Sequence, residues 1–277
     1  MKLKLFASVC LAAGLAVGLA GCGDKADAPK ADAPKADAGK TLTVGASPVP
    51  HADLLNLVAP QLKKDGITLK VIEFSDYIKP NLSLADKEID ANFFQHQPYL
   101  DAFAKDRGLK LTSLVAVHIE PMGVYSNKVK NVADVAEGAK VAIPNDPTNG
   151  GRALKVLETA GLIKVRPEAG VMATVGDVVD NPKKVQFVEV EAAQLPRALD
   201  DVALAVINSN YALGANLNPL KDAIAIEAKD SPYANIVAIR VGDDARPELQ
   251  KLKAALTSAE VKKFIETEYK GAVVPAF

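Results

Sequence analysis

Tryptophan is absent from this chain of 277 residues, and cysteine occurs only at Cys10 and Cys22. Beyond residue 22 there is no thiol, which excludes a disulfide, a cysteine nucleophile and a cysteine metal ligand from the body of the protein. A fold of this length buries enough apolar surface to manage without such staples. Charge of one sign is also missing: 33 Lys and Arg against 34 Asp and Glu leave a formal net charge of −1. Nothing there supplies the clustered basic face that a nucleic-acid partner requires. Gly-x-Ser-x-Gly and His-Glu-x-x-His do not occur, so the commonest hydrolase signatures are missing, as is a P-loop. Long apolar runs are nearly absent. The clearest, residues 5–19, is shorter than the roughly 20 residues a membrane span needs.

What that run does have is a flank. Lys2 and Lys4 precede it, and Leu19-Ala20-Gly21-Cys22 closes it. This layout predicts a secretory signal over 1–21, cut before a cysteine that carries lipid. Acyl chains on Cys22 would hold the protein to an envelope membrane, facing the periplasm or the cell exterior. Lys25-Ala-Asp-Ala-Pro29 is then repeated as Lys30-Ala-Asp-Ala-Pro34 and Lys35-Ala-Asp-Ala-Gly39. With no large apolar residue to bury, 22–40 reads as a disordered tether.

From Thr41 the pattern alternates between strand and helix, which predicts an α/β fold. Strands are expected over 42–46, 67–74, 89–93, 123–126, 140–143, 185–190, 203–207 and 235–241. Helices are expected over 52–64, 80–85, 152–160, 193–201, 247–256 and 259–269, with one opened by Pro98. About 235 residues suit two lobes better than one core.

Four clusters place polar and aromatic groups at strand ends, where open α/β sheets bind ligands. In the first, Phe93, Phe94, His96 and Tyr99 leave a strand; the plain alternative is a core phenylalanine beside a surface histidine. The second is the loop His118-Ile-Glu-Pro-Met-Gly123. In the third, Asn145-Asp-Pro-Thr-Asn-Gly-Gly-Arg152 turns into a helix whose start favours an anion, with an arginine able to grip a carboxylate on two prongs. The alternative for Arg152 is an exposed helix face. The fourth is Asn208-Ser-Asn-Tyr211, whose amides suit a zwitterion or merely build a turn. A metal receptor using His51, His96, His118 and Glu120 is a competing reading, although their spacing is not that of a local ligand set. An adhesive or structural lipoprotein is another.

Together, the lipid-type cysteine box, Asn92-Phe-Phe-Gln-His-Gln-Pro-Tyr99, His118-Ile-Glu-Pro-Met-Gly123, Ile143-Pro-Asn-Asp-Pro-Thr-Asn149, Glu191-Ala-Ala-Gln-Leu-Pro196 and Asp230-Ser-Pro-Tyr233 with Asn235 resemble the NlpA family, in the family's order. The likeness is to its methionine-binding branch and runs over essentially 41–277. It implies a two-lobed, type II periplasmic-binding-protein fold, with 41–122 plus 233–277 as one lobe and 123–232 as the other. It implies no enzyme activity, cofactor or metal. The ligand implied is methionine, passed to an ABC permease with its ATPase subunits; another amino acid or a methionine-containing dipeptide remains open. By position, Arg152 would grip the carboxylate with help from Asn208, and Asn235 would meet the head group. Tyr77, Phe94 and His96 would line the thioether slot, with Phe93 and His118 nearby.

Overall fold

The computed structural model describes residues 39–228 and 232–277. The expected signal peptide, the lipid site at Cys22 and nearly all of the expected tether lie outside them. The first strand starts at Lys40, one residue inside the expected tether.

The elements in chain order are β1 (Lys40–Ala46), α1 (Asp53–Lys64), β2 (Ile67–Glu73), α2 (Lys79–Ala85), β3 (Ala91–His96), α3 (Gln97–Arg107) and β4 (Leu111–Ile119). There follow β5 (Gly123–Tyr125), β6 (Lys140–Pro144), α4 (Pro147–Thr159), β7 (Lys164–Val165), β8 (Val178–Asp180), β9 (Gln186–Val190), α5 (Leu195–Ala198), β10 (Leu204–Ile207), α6 (Ser209–Gly214) and β11 (Ala225–Ile226). Last come β12 (Ala234–Arg240), α7 (Pro247–Leu256), α8 (Ala259–Glu268) and β13 (Val274–Pro275). Two main sheets result. One has the order β13-β4-β12-β3-β1-β2, the other β11-β5-β10-β6-β9. The chain passes from the first sheet to the second at residues 120–122 and is back in the first with β12.

Local sequence accounts for the elements. In β1, Leu42, Val44 and Ala46 alternate and are fully buried. Leu54, Leu55, Val58 and Leu62 make one face of α1 and pack into the same core. Gly66 takes the left-handed conformation (φ 76°) in the turn after that helix. A second core gathers Met122, Val141, Ile143, Leu154, Leu157 and Val206 around the other sheet.

The strands β4, β7, β8, β11 and β13 and the short helix α6 are not among the expected elements, and three expected elements have other bounds. Helix α4 starts at Pro147 rather than 152. Asp146 caps it, accepting from the Asn149 N–H at 2.9 Å, and Pro147 stands in the first turn, where its missing N–H costs nothing. The expected helix over 193–201 shrinks to the single turn of α5 after a 3-10 turn. Strand β3 runs 91–96, so Phe94, Gln95 and His96 are still in the sheet.

The paired glycines of α4 serve packing. A Cβ on Gly151 would lie 2.5 Å from the Val171 carbonyl oxygen and 3.0 Å from the Ala173 nitrogen. Both are backbone atoms that cannot swing away. Gly151→Ala is expected to destabilise the protein by about 1–3 kcal/mol, seen as a lower urea midpoint at unchanged slope.

Candidate ligand-binding site

Tyr77, Phe94, Tyr99, His96, Asn149 and Asn208 meet around a small cavity of about 20 Å³. Phe94 and His96 come from the end of β3, and Tyr99 from the first turn of α3. Tyr77 stands in the loop before α2. Asn149 lies in the first turn of α4, and Asn208 precedes α6. Two sheets thus contribute to one chamber. Its aromatic side is continuous: the Tyr77 and Phe94 rings are 5.8 Å apart, and Tyr77 and Tyr99 meet edge-on at 5.9 Å. The Tyr99 hydroxyl donates to the Tyr77 carbonyl at 2.8 Å, which fixes both rings.

The polar side is a directed chain. His96 Nδ1 accepts from the Tyr99 N–H at 3.2 Å, so the proton of the neutral ring sits on Nε2. That Nε2 donates to Asn149 Oδ1 at 3.1 Å. Asn208 Nδ2 donates to the same oxygen at 2.8 Å. Asn149 Nδ2 in turn donates to both Asp146 carboxylate oxygens at 3.0 Å. Burial, then the nearby Arg152 charge, lowers the His96 pKa to about 3, so the ring stays a neutral donor at ordinary pH.

Arg152 lies in α4, 2% exposed, behind this chain. Its Nε donates to Glu227 Oε1 at 3.0 Å, and its Nη2 donates to Glu227 Oε2 and, at 2.7 Å, to the Glu120 carbonyl oxygen. The guanidinium carbon lies 4.3 Å from the centre of the Tyr233 ring, which meets His96 edge-on at 4.9 Å. One edge of the guanidinium is therefore occupied by a carboxylate of the protein itself, and only Nη1 remains outside these bonds. The anion expected at the helix start is likewise supplied from within, by Asp146. The sequence gives no motif that singles out Glu227; the only signal is that a buried arginine demands a counter-charge.

Phe93, His118 and Asn235 do not line the chamber. They gather around His51. Phe93 alternates with Phe94 along β3 and points to the opposite face, into the core. It packs edge-on against His51 at 4.7 Å and His118 at 5.3 Å. His51 Nε2 lies 3.1 Å from Asn235 Oδ1 and 3.3 Å from Glu120 Oε1, and His118 Nε2 lies 2.7 Å from the same carboxylate oxygen. Burial lowers the pKa of His51 to about 4 and of His118 to about 3, and raises that of Glu120. Asn235 connects the two groups: in the sheet it pairs with His96 on one side and His118 on the other.

His51, His118 and Glu120 are the one set of three possible metal ligands brought together among the described residues, their donor atoms within 4.8 Å of one another. Zinc would hold such atoms about 2.0–2.1 Å from itself and hence farther apart than the 2.7 Å between His118 and Glu120. Proton-sharing hydrogen bonds account for the spacing. His96, the remaining histidine of the metal reading, is bonded elsewhere.

A far larger cleft, about 900 Å³ and open to solvent, runs beside the chamber between Ser75, Asp76 and Ile78 on one wall and Glu191, Arg197 and Tyr211 on the other. Its lips are tied: the Tyr77 hydroxyl donates to Asn210 Oδ1, and the Tyr211 hydroxyl donates to the Ser75 carbonyl at 3.1 Å. The smaller chamber carries the more specific chemistry, since its aromatic and directed polar groups converge.

Two α/β sheets with residues from both meeting in one chamber define a two-lobed solute-binding protein of the periplasmic type, a binding protein rather than an enzyme. The sequence profile of the NlpA lipoprotein family matches residues 42–277. The chain belongs to that family. A probable D-methionine-binding lipoprotein of Vibrio cholerae is 41% identical over 99% of this chain and 98% of its own length. A nutrient-binding protein of Burkholderia cenocepacia, solved with methionine bound, is 50% identical with a TM-score of 0.83, covering 85% of this chain and 100% of its own. An ABC-transporter periplasmic substrate-binding protein of Coxiella burnetii is 42% identical with a TM-score of 0.81, over 85% and 100%.

Proposed function

We propose that the protein captures methionine between its two lobes and delivers it to an ABC importer. The observation that carries this is the chamber itself, aromatic on one side and amide-lined on the other. Tyr77, Phe94 and Tyr99 offer ring edges and faces that suit a polarizable thioether. Asn208, with Arg152 behind, serves the charged head group, the carboxylate reaching Arg152 Nη1. The relatives' names and the methionine held by the Burkholderia protein favour the same ligand. The lobes are 41–122 with 233–277, and 123–232, a division supported by the way the strands sort between the sheets. At about 20 Å³ the chamber has room for about one water, so admission of an amino acid involves parting its walls. The hydrogen bonds from Tyr77 to Asn210 and from Tyr211 to Ser75 are the ones that part. Phe93, His118 and Asn235 support the chamber from behind. In this reading lipid on Cys22 holds the protein to the membrane beside its permease and ATPase partners.

Small molecules released by denaturing the purified protein, identified by mass spectrometry, are expected to include methionine. On protein stripped of ligand, methionine is expected to raise the melting temperature more than leucine, glutamine or histidine do. At one hundred times the dissociation constant the gain is about 2.7 kcal/mol. An equal response to glutamine would rule out an aromatic thioether slot, and a larger response to a methionine dipeptide would reassign the ligand. Running both methionine enantiomers decides the stereochemical preference.

A further inference from the structure

We infer that Asp146 sets the direction of the hydrogen-bond chain through Asn149, so that Asn208 turns its carbonyl oxygen, and not its NH₂, toward the chamber as the acceptor for a ligand's ammonium group. The inference deepens the reading of the chamber as an amino-acid site and rests on it.

An asparagine amide has a donor end and an acceptor end of nearly the same shape, so only its partners decide which way it faces. Here every partner is decided in turn. An ionised carboxylate can only accept. Asp146 accepts from the Asn149 N–H, from the Thr148 hydroxyl and, with both oxygens, from Asn149 Nδ2. Asn149 must therefore present Nδ2 to Asp146 and Oδ1 to the chamber. Two groups reach that oxygen, and both must donate. One is His96 Nε2, whose proton is assigned independently by the Tyr99 N–H on Nδ1. The other is Asn208 Nδ2. With its donor end committed, Asn208 has one end left. Asn208 Oδ1 is buried, has no hydrogen-bond partner among the described residues, and belongs to a residue that lines the chamber. A buried carbonyl without a partner is costly, of the order of 1–3 kcal/mol, unless something donates to it.

This reverses the role expected from the sequence, in which Asn208 helps to hold the carboxylate. A carboxylate brings only acceptors and would meet an acceptor. An ammonium brings three donors. The head group is then oriented, with its nitrogen toward Asn208 and its carboxylate toward Arg152. Asp146 touches neither and is a positioning residue.

Calorimetric titration of the full-length chain, stripped of ligand, tests this with two probes: methionine and its amine-free analogue, the thioether carboxylic acid of the same length. Asp146→Asn keeps the helix cap, since asparagine caps as well as aspartate. It replaces the acceptor-only group with one that also donates, and so releases Asn149 to face either way. Methionine is expected to bind about tenfold more weakly to Asp146→Asn, the lower end of the worth of a hydrogen bond to a charged group. The amine-free analogue is expected to be within about twofold of its wild-type affinity. In an Asn149→Ala background, where the relay is gone, Asp146→Asn is expected to have no further effect. Equal loss for both probes would make Asp146 merely structural and overturn the inference. So would a loss that persists without Asn149, which would be a direct charge effect, and so would no loss at all. If wild-type protein binds no methionine, the amino-acid reading itself fails and the inference goes with it.

Discussion

Replacing Arg152 with alanine is expected to weaken methionine binding by on the order of a hundredfold or more and to destabilise the protein as well. From the sequence alone the second effect is not expected, because an arginine at a ligand site makes no core. The structure gives Arg152 two further tasks. It neutralises Glu227, whose side chain is only 12% exposed, and it bonds the Glu120 carbonyl, so that it joins both passages between the sheets. Breaking a buried ion pair from one side typically costs about 3–5 kcal/mol, and the partial exposure of Glu227 puts this case at the lower end. The two effects separate in the double variant. Arg152→Ala with Glu227→Gln is expected to regain part of the stability, because no unpaired charge is left, while methionine affinity stays low. Arg152→Lys is expected to rescue little, since an ammonium cannot span both Glu227 oxygens and the Glu120 carbonyl. Arg166→Ala, an exposed arginine beyond the same helix, serves as control and is expected to bind normally. Wild-type affinity in folded Arg152→Ala would place the carboxylate elsewhere.

The second large effect is with acid. His51, His96 and His118 all have pKa values lowered by burial, to about 4, 3 and 3. An unfolded chain protonates them near 6.5, so below that pH the unfolded state binds more protons and stability falls as pH falls, until the folded values are reached. At pH 5 each histidine accounts for about 2 kcal/mol, being about 1.5 pH units below its free value. Glu120 and Asp146 act in the opposite sense. Burial raises their pKa values, so as the pH drops the folded state takes up these protons before the unfolded chain does. The contribution of the three histidines falls away from about pH 6.5 to 5, where urea denaturation is expected to show a loss of stability. In His118→Gln the slope over that window is expected to fall by about one third, one of three titrating groups having gone. An unchanged slope in that variant would show that burial of neutral imidazoles is not the source.

Much of this architecture is legible in the sequence because the elements announce themselves locally. The apolar face of α1 and the alternation of β1 and β2 have matching strands and helices in the structure. The start of α4 is readable too: aspartate followed by proline is a cap and first turn, but the paired glycines after it look like loop, since glycine is a poor helix former. The need for Gly151, close approach to the Val171 carbonyl, involves a residue twenty positions away and leaves no local trace.

The site divides in the same way. Tyr77, Phe94, His96 and Asn208 meet as a group, each standing at or near a strand end. Phe93 is excluded by a rule available from the start: neighbours in a strand face opposite sides. Arg152 is legible as a buried cation, but its partner Glu227 is not, because a single acidic residue 75 positions on carries no signal of its own. His51 is similar. Nothing near it in sequence shows that it will bond Asn235, 184 residues later. Pairings of this range are set by how the sheets are threaded.

That threading also has a timetable. In the first sheet β12 lies between β4 and β3, yet it is among the last strands of the chain. The residues of β5 to β11, which make the other sheet and the separate β7-β8 pair, are all synthesised between β4 and β12. Until Ala234 to Arg240 exist, β3 and β4 have no common neighbour, and β4 pairs with nothing else but the still later β13. At ordinary rates of synthesis that interval is on the order of ten seconds. A nascent chain left in the cytoplasm would spend it with the inner edges of two strands exposed and its second sheet already complete in sequence. The late middle strand therefore keeps the newborn chain from settling into its final form until most of its length has been made.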